Sequence, residues 1–396
     1  MREYISVEDI NKVIQSGRKE LIINNDIIVT DAARRLAANN GIIIRNAGAV
    51  SNNPKSYLES LTTTQFLKNS VVNSAQGVDL LLTNGQVLIP EFGLLRVNIG
   101  MRNGKISTLS QEEVPAKEVI DLNGKYVFPG IIDPHVHLGL FAPLDVEVET
   151  ETGAALIGGI TSAGCFFNQP TSYLPFLDEL GRLVNAKSNI DILPHLTLRE
   201  SLHLDEIDMY LNKYGLRSFK MYLNGIPGLL PYQPDAFIVR AMEEVKKRGN
   251  KAVICIHAEN PSIVETTTTQ MLNSKDPLTL EEWGQTHPEI AEEEAVIRAQ
   301  FFARRLGIKL YLVHVSTGSA MRELRDIKGS NMYVETTSPY LTLSDESNAE
   351  NLKMEPPIRN RHNRDELWEA VESGLVDTLG TDNVTMTTKE KQVEKG

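Results

Sequence analysis

Two cysteines and two tryptophans occur in 396 residues, and no apolar stretch reaches the roughly 18 residues that a membrane-spanning helix needs. Positive charge is also short. Forty Lys and Arg stand against 52 Asp and Glu, giving a net charge of −12 and a pI near 5.3. That balance argues against nucleic acid or an anionic membrane as partner, since both select basic patches. The opening "MREYISVEDINKVIQ" lacks the basic-then-apolar pattern of a signal peptide, so a cytoplasmic protein is expected. Cys165 and Cys255 sit in apolar surroundings, "SAGCFFN" and "AVICIHA". They read as buried free thiols in a reducing compartment rather than as a disulfide. No Gly-rich phosphate loop follows any candidate strand, which weakens a doubly wound nucleotide-binding sheet.

What is present is the mix of a globular protein, 41% apolar and 23% charged, in a chain too long for one ordinary domain of about 150 residues. Residues 1–47 read as a small α+β module. "SVEDINKVIQSG" predicts a helix with a Ser cap and Gly17 at its end, "KELIINNDIIVT" a strand or hairpin, "DAARRLAANNG" a second helix and "IIIRN" a strand. So small a unit buries little surface and is expected to lean on a partner. Residues 48–76 are polar and rich in Ser, Asn and Thr, and read as a linker with room for one short helix. Over 77–127, three Asn-Gly dipeptides between β-rich runs predict hairpins in a small β-sandwich unit.

From 128 to 396 the pattern changes to buried strands alternating with helices. "GIIDPHVHL", "GITSAGCFF", "DILPHLTL", "RSFKMYL", "KAVICIHA", "KLYLVHV", "NMYVETT" and "VDTLGTD" are the strand candidates, with helical stretches such as "EEEAVIRAQFFARRLG" between them. The fold class expected is therefore α/β, a TIM-like (β/α)8 barrel with a β-sandwich unit. Such barrels keep their chemistry at the C-terminal strand ends. There the sequence offers His135 and His137 on strand one, Lys220 on strand four, His257 on strand five, His314 on strand six and Asp382 on strand eight. Period two places His135 and His137 on one face. Imidazoles with a carboxylate are the donor types of a Zn2+ site. A lone His-x-His is weak evidence, because eight histidines in 396 residues give about 0.16 such pairs by chance. The coincidence of four histidines at strand ends is what carries weight. His195, His203, His287 and His362 fall elsewhere and read as core or surface residues.

Six ordered motifs, "VFPGIIDPHVHL", "SFKMYL", "CIHAEN", "LVHVSTGSA", "MEPPIRN" and "VDTLGTDN", together resemble the cyclic amidohydrolases. These are the hydantoinase, dihydropyrimidinase, allantoinase and dihydroorotase group, and the resemblance runs from about residue 77 to the end. It implies a TIM-like barrel with a β-sandwich built from both chain ends, and two divalent metals, usually zinc. His135, His137 and Asp382 would hold one metal, His257 and His314 the other, and Lys220 would bridge both as a carbamate formed with CO2. Asp382 would also be catalytic, moving a proton from the attacking water to the leaving nitrogen. The implied reaction is hydrolysis of a cyclic amide or ureide, in an enzyme that is often a homo-oligomer. Against it stands a reading from another class, a non-catalytic relative kept for binding or assembly. For Lys220 the plainer alternative is a salt bridge at the strand end.

Departures from the family pattern bear on substrate. Dihydroorotases typically carry an arginine shortly after His-x-His, whereas "HVHLGLFAP" has Gly139 and no arginine, so orotate-type substrates rank low. Hydantoinases usually place a tyrosine five positions after the bridging lysine, where this chain has Gly225. Tyr222, Thr337, Ser338 and Asn363 are the residues expected to contact substrate. Asn383 follows Asp382 where relatives commonly have histidine. Only 14 residues follow Asp382, so the barrel is expected to be incomplete at its C-terminus, without its last helix and the returning sandwich strands. Finally, "DIIVTDAARRLAANNGIIIR" resembles a short module of bacterial microcompartment accessory proteins, which implies docking to shell or partner proteins through residues 1–47.

Overall fold

The computed structural model describes residues 77–387 except 91, 227–229, 275–277 and 348–351, and, nearer the N-terminus, residues 4–5, 7–17, 19–23, 28–29, 33, 36–37 and 40–46. The linker expectation at 48–76 lies outside them. Two compact units result, Met1–Pro129 and Gly130–Gly396.

In the first unit a helix spans Val7–Gln15, with Ile10 buried beside Ala33, Ala37 and Ile42. The strand Glu20–Ile23 pairs parallel with Ile43–Asn46, and Tyr4–Ile5 pairs parallel with Ile28–Val29. "KELIINNDIIVT" is thus two strands paired elsewhere and not a hairpin. The β-rich stretch after residue 77 forms a four-stranded and a three-stranded sheet, with Val87, Ile89, Val97 and Ile99 buried in one apolar cluster.

Only one of the three Asn-Gly dipeptides makes the expected hairpin. Asn103 (φ 52°) and Gly104 (φ 71°) join the antiparallel strands Asn98–Arg102 and Lys105–Ser110, the positive-φ pair that a tight hairpin turn requires. At Asn84-Gly85 and Asn123-Gly124 the chain instead crosses from one sheet to the other. Val78–Thr83 pairs parallel with Ala116–Asp121, while Gln86–Ile89 pairs parallel with Tyr126–Val127. The two crossings run side by side, with Gly124 N–H donating to the Asn84 carbonyl at 2.8 Å and Asn84 Nδ2 to Asp121 Oδ1 at 3.0 Å.

The second unit is a ring of parallel strands, β1 (Ile131–His137), β2 (Ile160–Phe167), β3 (Asp191–Thr197), β4 (Ser218–Tyr222), β5 (Val253–His257), β6 (Lys309–Leu312), β7 (Met332–Thr337) and β8 (Thr378–Gly380), each paired with the next. All eight strand candidates are present. A two-residue strand, Asn383–Val384, closes the ring against Val136 and His137 of β1. Period-two alternation separates two layers. Phe219, Met221, Ile254, Ile256, Leu310, Leu312 and Val334 belong to the large core cluster that also contains Ala241, Met242, Ala295 and Ala299 of the covering helices. Phe166, Cys255, Tyr311 and Val313 form a separate buried cluster. Each fully buried Leu, Ile or Phe contributes about 1.5–3 kcal/mol, so this layer fixes the strand register on which the rim depends. Cys165 and Cys255 are free and buried. Residues 388–396 lie outside the described ones, and with them the expectation of an incomplete C-terminal end.

Candidate metal centre

Six side chains expected from sequence converge at one end of the ring. On β1, the rings of His135 and His137 lie 5.2 Å apart, centre to centre. Asp382 reaches them from the break in the last strand. Its φ of +52° is uncommon for a residue with a side chain, and Asp382 N–H donates to the His135 carbonyl at 2.9 Å. The break is held from below, where Asp133 accepts from Thr381 Oγ1 at 2.6 Å and from His135 N–H at 3.1 Å. One oxygen of Asp382 then stands 3.1 Å from both His135 Nε2 and His137 Nε2. For His135 that distance suits a hydrogen bond but the direction does not, and Nε2 is left buried without a hydrogen-bond partner. Lone pairs converging in this way suit a shared cation better than a shared proton. Burial pushes the Asp382 carboxyl upward, but the imidazoles of His135, His137 and His314 outweigh it and hold it well below the usual carboxylate range.

His257 ends β5, and its Nδ1 lies 3.1 Å from His314 Nε2. His314 follows β6 with φ of +41° and stacks on the His135 ring at 5.4 Å. Burial, reinforced by Lys220 and His257, pushes the His314 imidazole well below its ordinary range. Lys220, at the centre of β4, is wholly buried, and its Nζ has no hydrogen-bond partner among the described residues. It lies 4.7 Å above the Phe166 ring and 5.0 Å from the Tyr222 ring. Burial lowers its pKa to about 8, against the opposing pull of Asp382, Cys255 and Glu335. Among the described residues no salt bridge holds this lysine. An isolated buried ammonium is costly, and the site has the marks of a place where that nitrogen bonds to something else.

Sequence reasoning missed the carboxylates behind the histidines. Glu259 accepts from His257 Nε2 at 2.8 Å and, through its other oxygen, from His287 Nδ1 at 2.8 Å. His287 is therefore one side chain removed from the cluster. Burial works against its charge, yet Glu259 holds its imidazole above the ordinary range. Glu335 accepts from His135 Nδ1 at 2.7 Å. The motif "CIHAEN" does contain Glu259, and its position two residues after His257 is the signal that could have found it. His195 is core-like as expected, stacked on Phe166 at 4.3 Å, and burial drops its pKa to about 3. His203 is buried, with its Nε2 2.9 Å from the Thr171 carbonyl, and His362 is on the surface.

Of the residues expected to touch substrate, Tyr222 is buried with its ring 5.4 Å from that of His257. Thr337 ends β7 fully buried, its hydroxyl without a hydrogen-bond partner among the described residues, and Ser338 beside it is exposed. Asn363 is committed elsewhere. Its side chain accepts from Gly318 N–H at 2.8 Å and donates to Glu289 at 2.7 Å, joining three helices. At Gly225 a Cβ would lie 2.5 Å from the Leu230 carbonyl oxygen and 2.6 Å from Tyr232 N, so the position excludes a side chain, a tyrosine included. Gly139 has φ of +78°, which disfavours an arginine there.

No protein-family model matches the chain. An allantoinase from Deinococcus radiodurans is 32% identical over 323 residues, 77% of this chain and 69% of that protein. A D-hydantoinase from Geobacillus stearothermophilus is 29% identical over 341 residues, 80% and 69% of the two chains. Among solved structures, the L-hydantoinase (dihydropyrimidinase) from Arthrobacter aurescens superposes with a TM-score of 0.72 at 25% identity, over 80% of this chain and 71% of that one. With the barrel, the rim cluster and these relatives together, the chain belongs to the hydantoinase, allantoinase and dihydroorotase group of the amidohydrolases.

Proposed function

We propose that the chain hydrolyses a ring C–N bond of a cyclic amide or ureide, of the hydantoin, dihydropyrimidine or allantoin type, with two divalent cations at the barrel rim. The observation that carries this reading is the convergence of His135, His137 and Asp382 beside His257, His314 and a wholly buried Lys220 that has no hydrogen-bond partner among the described residues. His135, His137 and Asp382 would hold one cation and His257 and His314 the other. Imidazole and carboxylate donors suit Zn2+. Bound there, divalent cations lower the pKa of a water and polarise the substrate carbonyl.

The chain's own residues supply the rest. Lys220, with its pKa brought down to about 8 by burial, keeps a neutral fraction near pH 7 whose lone pair can attack CO2. A carbamate formed there from the neutral amine and CO2, with loss of one amine proton, would be an anion and would supply a carboxylate-type donor to the site. Asp382, whose carboxylate oxygen lies between two imidazoles, accepts the proton of the attacking water and returns it to the ring nitrogen as that nitrogen leaves. Tyr222, Thr337 and Ser338 remain the substrate-side candidates. Gly225, where hydantoinases usually place a tyrosine, implies a pocket wall different from theirs. Assay of hydantoin, dihydrouracil, allantoin and dihydroorotate with zinc-loaded protein tests the reading. Ring opening of one of the first three supports it, and inertness towards all four would sink it.

The finer reading of residues 1–47 is docking to a microcompartment shell or partner protein, with the enzyme a homo-oligomer in the cytoplasm or inside such a shell. The resemblance of "DIIVTDAARRLAANNGIIIR" supports it. Among the described residues no helix is long and apolar enough to cross a membrane. Pull-down with shell proteins, comparing full-length protein with a form lacking residues 1–70, decides the docking role. Equal recovery of the two forms would end it.

A further inference from the structure

Glu335 lies inside β7, wholly buried, two residues before Thr337 and outside the donor set. Its Oε1 accepts twice, from His135 Nδ1 at 2.7 Å and from the backbone N–H of His314 at 2.9 Å. Its Oε2 accepts from the hydroxyl of Tyr311 on β6, which in turn meets Thr378 Oγ1 of β8 at 2.8 Å. Held on its Nδ1 side by this contact, the His135 ring presents Nε2 to Asp382, 3.1 Å from its oxygen. The same oxygen grips the backbone of His314 where φ is +41°, a conformation that persists only when neighbouring contacts enforce it. Bare backbone at Gly380 makes room for the arrangement. A Cβ there would fall 2.9 Å from His135 Cβ and 3.1 Å from Glu335 Oε2.

We propose that Glu335 is a positioning residue that ties the two halves of the centre together, one oxygen setting the ring plane of His135 while it holds the turn that aims His314. The inference rests on the two-cation reading above. Groups that orient metal-binding histidines typically change metal affinity by about 10–100-fold when removed. The test uses the full chain loaded with cobalt(II), comparing wild type with Glu335→Gln, Glu335→Ala and Gly380→Ala. It reads the visible absorption spectrum and the rate of cobalt loss to a chelator. Glu335→Ala should release cobalt about 100-fold faster with an altered spectrum. Glu335→Gln keeps an oxygen for both donors and should restore the band positions, with release about 10-fold faster than wild type. Gly380→Ala, which presses on the same pair from the other side, should shift the spectrum. Release at the wild-type rate with an unchanged spectrum in Glu335→Ala overturns the inference. If that variant does not fold, the same result in both Glu335→Gln and Gly380→Ala overturns it. A wild-type chain that takes up no cobalt would instead remove the two-cation reading on which the inference rests.

Discussion

On one side of the rim, His135 and His137 share a single oxygen of Asp382, 3.1 Å from each Nε2. On the other, Lys220 has no hydrogen-bond partner among the described residues and His257 and His314 face each other across 3.1 Å, with Glu259 behind His257 rather than between the pair. The first half carries its own anion. The second is three basic groups buried together, and burial works against the charge on two of them, pushing His314 well below its ordinary range and lowering Lys220 to about 8. What the second half lacks is an anion between its three bases, which a lysine carbamate would supply.

Substitutions in that half should have the largest consequences. His257→Ala or His314→Ala should lower kcat/KM on the substrate that the panel identifies by about 100-fold or more, near 3 kcal/mol of transition-state stabilisation. Circular dichroism should stay close to wild type. Activity surviving either change would break the comparison. Lys220→Ala should be comparably inactive, with one distinction that sharpens it: added acetate, a small carboxylate able to enter the vacated space, should restore part of the rate. Acetate should do nothing for His257→Ala.

A smaller effect follows from the Lys220 ammonium. After removal of metal and CO2, reactivation at fixed dissolved CO2 should rise with pH through about 8. Above that value the amine is neutral and can attack, and below it the proton blocks the lone pair. A profile still climbing beyond about pH 10, the ordinary lysine range, would show that burial does not tune this group. Smallest of all is His362→Ala. That side chain is 78% exposed, and the variant should keep its rate within about twofold and its stability within about 0.5 kcal/mol.

How much of this the chain announced depends on whether the signal was local. The eight barrel strands were legible because strands covered on both sides read as short continuous apolar runs, and the six rim residues because their types cluster at the ends of those runs. Glu335 was not legible. Two residues before Thr337 in "VETTSPYL", nothing distinguishes it from a solvent-facing strand residue until β1, β6 and β8 close around it. His287 failed for a similar reason, since Glu259 joins it to His257 across 30 positions of sequence. Asn84-Gly85 and Asn123-Gly124 looked like hairpins because the dipeptide states a backbone preference but not a pairing partner. Each strand flanking them found a parallel mate far along the chain.

Metal analysis of the purified, folded protein alongside its Lys220→Ala form is the decisive measurement of the two-cation centre. The account predicts about two divalent cations per wild-type chain and fewer in the variant. A well-folded wild-type protein that holds none after incubation with zinc and bicarbonate would contradict it.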